Sequence, residues 1–187
     1  MTKFELRKKY KLLRLQLSAN DVQQLSIKIT DQLVDLAIWD KNYYHLFLPI
    51  KKFNEVETKY LLDCLQNKNK AVVASKSNFD SLTMRHFLLN TATVIHTNKF
   101  GIPEPENGIE LPTKVVEVLF IPLLAFDING NRVGYGKGFY DVFLSQCNPG
   151  ALKIGLSFFD AELQIDDVDT NDVALDFCVT PKQIYKF

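Results

Sequence analysis

The sequence predicts an α/β domain in which helices cover the faces of a sheet. Runs rich in Val, Ile and Phe alternate along the chain with stretches of helical period, and the strongest run is "VVEVLFIP" at residues 115–122. The 187 residues suffice for one domain with a sizeable core and are too few for two comfortable ones. No repeat, linker or low-complexity tract interrupts them. We therefore expect one domain spanning residues 1–187.

Two helices are predicted before the first strand. Apolar side chains recur at spacings of four, three and four from Leu6 to Leu17, which predicts one face of a helix. Ser18 followed three residues later by Asp21 is typical of a helix cap and predicts a second helix to about Leu36. The later predicted elements are, in order, strand "YYHLFLPI", helix "TKYLLDCLQNKN", strands "AVVAS", "SLTMRHFLL" and "VVEVLFIP", helix "FYDVFLSQC", and strands "ALKIGLSF" and "DFCVTPKQIYKF".

Composition argues against several classes of function. Lys plus Arg and Asp plus Glu number 22 each, so net charge favours neither nucleic acid nor an anionic membrane, and any anion binding must be local. Three cysteines without C-x-x-C spacing argue against a disulfide framework or a zinc knuckle. No apolar run approaches the length of a membrane span, and the N-terminus lacks the apolar segment of a signal peptide. We expect a cytoplasmic protein with no nucleic-acid or membrane partner.

Glycine is concentrated in one short segment. Four of the eight glycines lie between Gly130 and Gly138, after the strongest predicted strand and before a predicted helix. In such an arrangement backbone N–H groups and a helix N-terminus converge on an anion, and Arg132 and Lys137 add positive charge. The spacing matches neither a Walker loop nor the G-x-G-x-x-G fingerprint. A tight turn followed by close helix packing is the alternative explanation.

The first predicted helix has a basic stripe. Its members recur at spacings of four, four and three and are Lys3, Arg7, Lys11 and Arg14. Positive charge in a first helical turn opposes the helix macrodipole, and only Glu5 offsets it there. We therefore expect this helix start to bind an anion, with a solvated charged face as the alternative.

Other constellations of reactive residues are weak. His45, His86 and His96 are scattered without metal-ligand spacing, and we interpret them as strand or surface residues. There is no G-x-S-x-G nucleophile elbow, and no cysteine has a local histidine pattern.

Four short motifs occur in order along the chain: "KFELRKKYKLLRLQLS", "LPIKKFNEVET", "FGIPEPE" and "GNRVGYGKGFYD". Together they resemble the 5-formyltetrahydrofolate cyclo-ligase family, also called methenyltetrahydrofolate synthetase. Each motif alone is weak, whereas four in the right order are specific. The resemblance covers essentially the whole chain and implies a single three-layer α/β/α domain with a mainly parallel or mixed sheet.

The resemblance implies ATP-dependent cyclisation of 5-formyltetrahydrofolate to 5,10-methenyltetrahydrofolate, with magnesium required and ADP and phosphate released. The mechanism that the resemblance implies is phosphorylation of the formyl oxygen, attack of N10 on the activated carbon, and departure of phosphate. Only small molecules are expected as partners, and the protein is expected to be a monomer. A non-catalytic nucleotide- or folate-binding module of the same fold is the first alternative, and a sugar-phosphate isomerase of similar layered fold is the second.

The resemblance also implies site residues. Those expected at ATP are Lys3, Arg7, Arg132, Val133, Gly134, Tyr135, Gly136, Lys137, Gly138, Phe139 and Tyr140. Those expected at the folate are Ile50, Glu55, Tyr135, Gly136, Lys137, Gly138 and Phe139. Phosphoryl transfer depends on charge stabilisation, so Arg132 and Lys137 are the expected catalytic residues. Asp141 and Asp172 are expected near magnesium, with helix-dipole compensation and a solvated acidic loop as their alternative roles.

The chain departs from the family pattern at three positions. Phe139 stands where many members have tyrosine, which removes a hydroxyl but keeps a ring that stacks on pterin. Tyr135 stands where others often have arginine, and Lys137 where others have glycine.

Overall fold

A computed structural model describes residues 1–187 of the chain. The helices are α1 (Lys3–Leu15), α2 (Ala19–Val34), α3 (Lys59–Asn67) and α4 (Phe139–Gln146). The strands are β1 (Tyr43–His45), β2 (Ala71–Asn78), β3 (Thr83–Leu89), β4 (Ile95–Thr97), β5 (Pro103–Pro105), β6 (Glu110–Leu111), β7 (Val118–Pro122), β8 (Ala125–Phe126), β9 (Arg132–Val133), β10 (Leu152–Leu156), β11 (Phe177–Val179) and β12 (Ile184–Lys186). Short 3₁₀ turns occupy Lys51–Phe53 and Thr113–Val115.

One eight-stranded sheet forms the centre of the fold, in the order β12-β11-β10-β7-β1-β2-β3-β6. The five central strands are parallel, and antiparallel pairings add β12 on one side and β3 and β6 on the other. From β1 the chain passes to β2 on one side, and it later returns to β7 on the other side. The strand order therefore reverses between β1 and β7, which is where open α/β sheets form a ligand crevice at their carboxyl ends.

The sheet is covered on both faces, which confirms the predicted three layers. Val118 and Phe120 of β7 pack in a cluster with α2 and α3. The alternate residues Leu119 and Ile121 pack with Phe143 of α4 on the other face. Because successive strand side chains point to opposite faces, a strand covered by helices on both sides needs the unbroken apolar run seen here.

Helix α1 packs beside the sheet, on the two-stranded hairpin of β8 and β9. Leu6 and Tyr10 are buried there against Leu124, Val133 and Ile165. A reciprocal capping box of Thr2 and Glu5 fixes where the helix starts. This docking brings the basic stripe of α1 to the glycine segment that follows β9.

The predicted helix pair is confirmed, with shorter ends. Ser18 and Asp21 form the predicted cap of α2 as a reciprocal capping box. The first helix ends at Leu15 instead of Leu17, because residues 16–18 must leave the helix for Ser18 to cap the next one.

Several strand predictions changed in extent. The run "VVEVLFIP" pairs only over Val118–Pro122, and "DFCVTPKQIYKF" forms the two antiparallel strands β11 and β12. The run "YYHLFLPI" pairs as a strand only over Tyr43–His45, because Leu46 and Phe47 are buried as a loop in the core below the crevice. Strand β2 runs three residues beyond the predicted "AVVAS", to Asn78. The hairpin of β4 and β5 was not predicted, since its second strand begins and ends in proline.

The turn between β8 and β9 is organised by the buried side chain of Asp127. Its Oδ1 accepts hydrogen bonds from the backbone N–H groups of Asn129 and Asn131, both at 3.0 Å. Its Oδ2 accepts from the Asn131 side chain and the Ile165 backbone N–H, also at 3.0 Å. One carboxylate thus ties the start of the glycine segment to a distant loop.

We expect Asp127→Asn to lower the free energy of unfolding by about 1–3 kcal/mol, because an amide NH₂ would face N–H donors and leave them unpaired. Urea denaturation measures this loss. Asp160→Asn is the control, since Asp160 pairs with Lys182 at the surface and its side chain is 47% exposed. That change should stay within about 0.5 kcal/mol. Equal losses in both variants would contradict the role given to Asp127.

Candidate active site

A cavity of about 640 Å³ opens at the carboxyl ends of β1 and β7, where the strand order reverses. This volume is typical of a small-molecule site. The predicted site residues that line it are Lys3, Arg7, Ile50, Glu55, Arg132, Gly134, Tyr135, Gly136, Lys137, Gly138, Phe139, Tyr140, Asp141 and Asp172. Val133 is the exception, because its side chain is fully buried between α1 and the β8–β9 hairpin.

The glycine segment forms one wall together with α1. The Arg7 Nε–H donates to the carbonyl oxygen of Gly134 at 3.0 Å. Gly136 has φ +86°, and a Cβ there would lie 3.2 Å from the Arg7 guanidinium carbon. Gly138 begins α4 with φ +74°, and no side chain caps that helix start. The wall therefore combines a close-fitting arginine with an uncapped helix N-terminus, a combination suited to an anion.

The cavity is positively charged although the chain as a whole is neutral. Its lining includes the six basic residues Lys3, Arg7, Lys11, Lys52, Arg132 and Lys137, and the three acidic residues Glu55, Asp141 and Asp172. Because the chain as a whole is neutral, anion binding needs a local excess of positive charge, and the cavity has one.

Two of the basic residues are already paired with carboxylates. The Lys3 ammonium forms a largely buried ion pair with Asp172. The Arg132 guanidinium, only 5% exposed, donates to Asp141 at 2.6 Å and to the Val173 carbonyl oxygen. Lys137 is exposed and has no ion pair.

Asp141 and Asp172, each paired with a basic side chain, are the predicted metal carboxylates, and both line the cavity. No group of three potential ligands occurs anywhere in the chain, so there is no preformed metal cage. Mg²⁺ commonly uses one or two carboxylates and completes its shell with phosphate oxygens and water. The donor set therefore fits magnesium that arrives with a nucleotide.

A buried hydrogen-bonded chain positions Glu55 in the cavity. Its Oε2 accepts from the backbone N–H of Ile50 at 2.6 Å, and its Oε1 accepts from the Tyr135 hydroxyl at 2.6 Å. The same hydroxyl accepts from the Arg14 guanidinium at 2.9 Å. Burial raises the pKa of the Glu55 carboxyl. Tyr135 thus links a buried acid to a buried base.

Aromatic side chains from three separate segments meet near the start of α4. Phe139 packs edge-on against Phe79, with ring centroids 5.0 Å apart, and Phe79 lies 4.2 Å from Phe100. Phe79 and Phe100 were missed by sequence reasoning. They lie in loops that come together through the pairing of β2 with β3 and of β4 with β5. No local pattern marks Phe79, and Phe100 begins the motif "FGIPEPE", to which no site role was assigned.

The floor of the cavity contains a second group that the sequence did not reveal. His45 and Ser75 line the cavity, and the Ser75 Oγ lies 2.8 Å from His45 Nε2 and 3.0 Å from His86 Nδ1. Burial lowers the pKa of His45 to about 3 and that of His86 to about 4. Both histidines are strand residues, as predicted, but they are not isolated.

The comparison with known families decides the identification. The model described as "5-formyltetrahydrofolate cyclo-ligase family" matches residues 1–181. The chain belongs to this family. The cyclo-ligase of Haemophilus influenzae is 30% identical over 161 residues, covering 82% of this chain and 84% of that protein. A probable cyclo-ligase of Schizosaccharomyces pombe is 28% identical over 187 residues, covering 91% of each chain.

Solved structures agree with the membership of this chain in the cyclo-ligase family. The 5,10-methenyltetrahydrofolate synthetase of Aquifex aeolicus superimposes with a TM-score of 0.84 at 29% identity, over all of this chain and 93% of that one. The Mycoplasma pneumoniae synthetase gives a TM-score of 0.75 at 23% identity and supports the fold. None of the helices in this cyclo-ligase family member combines the length and apolarity needed to cross a membrane.

We expect stability to fall as pH decreases from about 6.5 towards 4. In this window the unfolded chain protonates His45 and His86 while the folded state keeps them neutral. Each such histidine contributes a slope of up to about 1.4 kcal/mol per pH unit. Urea unfolding at several pH values measures the slope, which His86→Gln should reduce. His96→Gln removes a side chain that is 40% exposed and serves as the comparison. An equal reduction in both variants would contradict the lowered pKa of His86.

Proposed function

We propose that the protein converts 5-formyltetrahydrofolate to 5,10-methenyltetrahydrofolate at the expense of ATP. The γ-phosphoryl group is transferred to the formyl oxygen, N10 attacks the activated formyl carbon, and the C–O bond breaks to release phosphate. The proposal rests on one observation. A single cavity has a cationic wall, formed by the glycine segment and α1, and an aromatic region that contains a buried carboxyl group. Transfer between two substrates requires both of them on one surface.

The glycine wall is suited to the triphosphate. Arg7 and Lys137 present charges that no carboxylate neutralises, and the uncapped start of α4 adds backbone N–H groups. Lys3 and Arg132 bring further charge with their carboxylate partners. Because phosphoryl transfer depends on positioning and on stabilising charge, this wall can act without a titrating base.

Asp141 and Asp172 would hold magnesium together with the nucleotide. A bound magnesium ion would neutralise charge on the phosphate oxygens. Arg132 keeps Asp141 oriented towards the cavity through their hydrogen bond at 2.6 Å.

The remaining lining is suited to the folate. Phe139 lines the cavity and is 9% exposed, so the exposed part of its ring would contact the pterin, and the missing family hydroxyl leaves that contact intact. Glu55 is held by Ile50 and Tyr135, and it has lone pairs left to accept hydrogen bonds from the pterin amino group and ring N–H.

Replacing Lys3 and Arg7 together with Ala should raise the KM for ATP by about 10- to 100-fold, because charge-assisted hydrogen bonds to phosphate are lost. The KM for the folate should change much less. Steady-state kinetics with each substrate varied measure both constants. Lys8→Ala is the matched control, since Lys8 is an exposed lysine of the same helix and lies outside the cavity. Equal effects on both substrates would refute the assignment of α1 to the nucleotide.

The route of the formyl oxygen tests the reaction itself. With oxygen-18 in the formyl group, phosphorylation of that oxygen requires the label to appear in the released phosphate. Product absorbance with and without ATP provides the accompanying activity measurement. Label found in water instead would rule out formyl phosphorylation. Absence of both ATP consumption and product would rule out the cyclo-ligase activity.

A further inference from the structure

The proposed phosphate and pterin contacts do not involve one hydrogen-bonded group of the cavity. It consists of Ser75, His45 and His86 and is here called the serine–histidine chain. Its members come from the adjacent strands β1, β2 and β3, and Ser75 is the direct register partner of His86. Both imidazoles lie against Phe143 of α4, with ring centroids 4.8 Å and 4.1 Å away. The strand pairing therefore fixes this geometry, and no flexible loop contributes to it.

The serine–histidine chain is open to two proton arrangements. His86 Nε2 is buried without a hydrogen-bond partner, so no second acceptor fixes its tautomer, whereas the backbone of Phe120 also acts on His45. The Ser75 hydroxyl can donate to one imidazole while it accepts from the other, and the reverse arrangement satisfies the same three groups. The negative charge of Glu110 acts to raise the pKa of His86, but Glu110 is itself ion-paired with Arg85. No carboxylate contacts the serine–histidine chain.

The part of the serine–histidine chain that lines the cavity is half-buried Ser75 and fully buried His45. His45 and Ser75 are lining residues, whereas His86 lies behind them. Further along β2 comes Phe79, which contacts Phe139, and His45 packs edge-on against Tyr140 at 6.1 Å. Ser75 therefore lines the same cavity as Phe139, the residue proposed to contact the pterin.

The proposed reaction creates a proton that must move. When N10 attacks the activated carbon, the new N10–C bond leaves N10 positively charged with its proton still attached. Breaking the C–O bond then sends an electron pair to the phosphate oxygen, which needs a proton to leave as hydrogen phosphate. Proton loss from N10 and proton gain by phosphate balance each other, so a shuttle between them suffices.

We infer that Ser75 is a catalytic residue that takes the proton from N10, passing its own proton to His45 or His86, and returns a proton to the departing phosphate oxygen. His45 and His86 are positioning residues that act through Ser75. This inference rests on the proposed function. The lowered pKa values of the two imidazoles are compatible with it, because a weak base suffices for the strongly acidic proton of an alkylated arylamine, and a weakly held proton is easily returned.

The test compares Ser75→Ala with Ser77→Ala. Ser77 lies two residues further along β2 and also lines the cavity, but its hydroxyl makes no hydrogen bond, so its loss reports the general cost of removing a hydroxyl here. We expect Ser75→Ala to lower kcat by about 100-fold, the lower end of general acid–base contributions, with the KM for ATP changed less than about twofold. Ser75→Thr, which keeps the hydroxyl, should recover most of the lost kcat.

The outcomes separate this inference from the proposed function. If the unaltered protein forms no methenyltetrahydrofolate with ATP, the proposed function and the shuttle both fail. If it does, and Ser75→Ala retains as much kcat as Ser77→Ala, only the shuttle fails. A large loss of kcat that Ser75→Thr does not relieve would assign Ser75 a packing role and also overturn the inference.

Discussion

The docking of α1 onto the β8–β9 hairpin is the contact on which the site depends. Leu6 and Tyr10 bury one face of the helix against Leu124 and Val133, away from the main sheet. The same packing places Lys3 and Arg7, on another face of the helix, at the glycine segment. Loss of this contact would leave the glycine segment with Arg132 and Lys137 as its only basic residues, so core packing and the charge of the cavity depend on the same helix.

The site illustrates how a neutral chain can form a positively charged cavity. Basic side chains come from α1, the 3₁₀ turn at Lys51–Phe53 and the glycine segment, whereas the acidic side chains that remain are mostly engaged by those bases. Glu55 is separated from them inside the chain of Tyr135 and Arg14. The fold therefore concentrates positive charge in the cavity, and composition alone does not reveal this concentration.

Local patterns predicted most of the fold, because they reflect local physics. The capping signal at Ser18 and Asp21, the period of α1 and the apolar run of β7 each depend on neighbouring residues, and all three are confirmed. The four ordered motifs also predicted the family, and their residues meet in one cavity. Phe79 and Ser75 could not be predicted as lining residues, because strands far apart in sequence bring them there. Val133 shows the converse error. It lies within the predicted binding motif, but its side chain is buried in the core and does not line the cavity.

The ion pairs Lys3–Asp172 and Arg132–Asp141 have an energetic consequence for ligand entry. Since these bases already have partners, an incoming phosphate exchanges one anion for another and releases carboxylates, with few mobile counterions displaced. Affinity should then depend less on ionic strength than six basic residues suggest. Under the proposed function, it should depend more on a divalent cation that takes up the released carboxylates, because nucleotide and cation would then bind cooperatively as one neutralised unit.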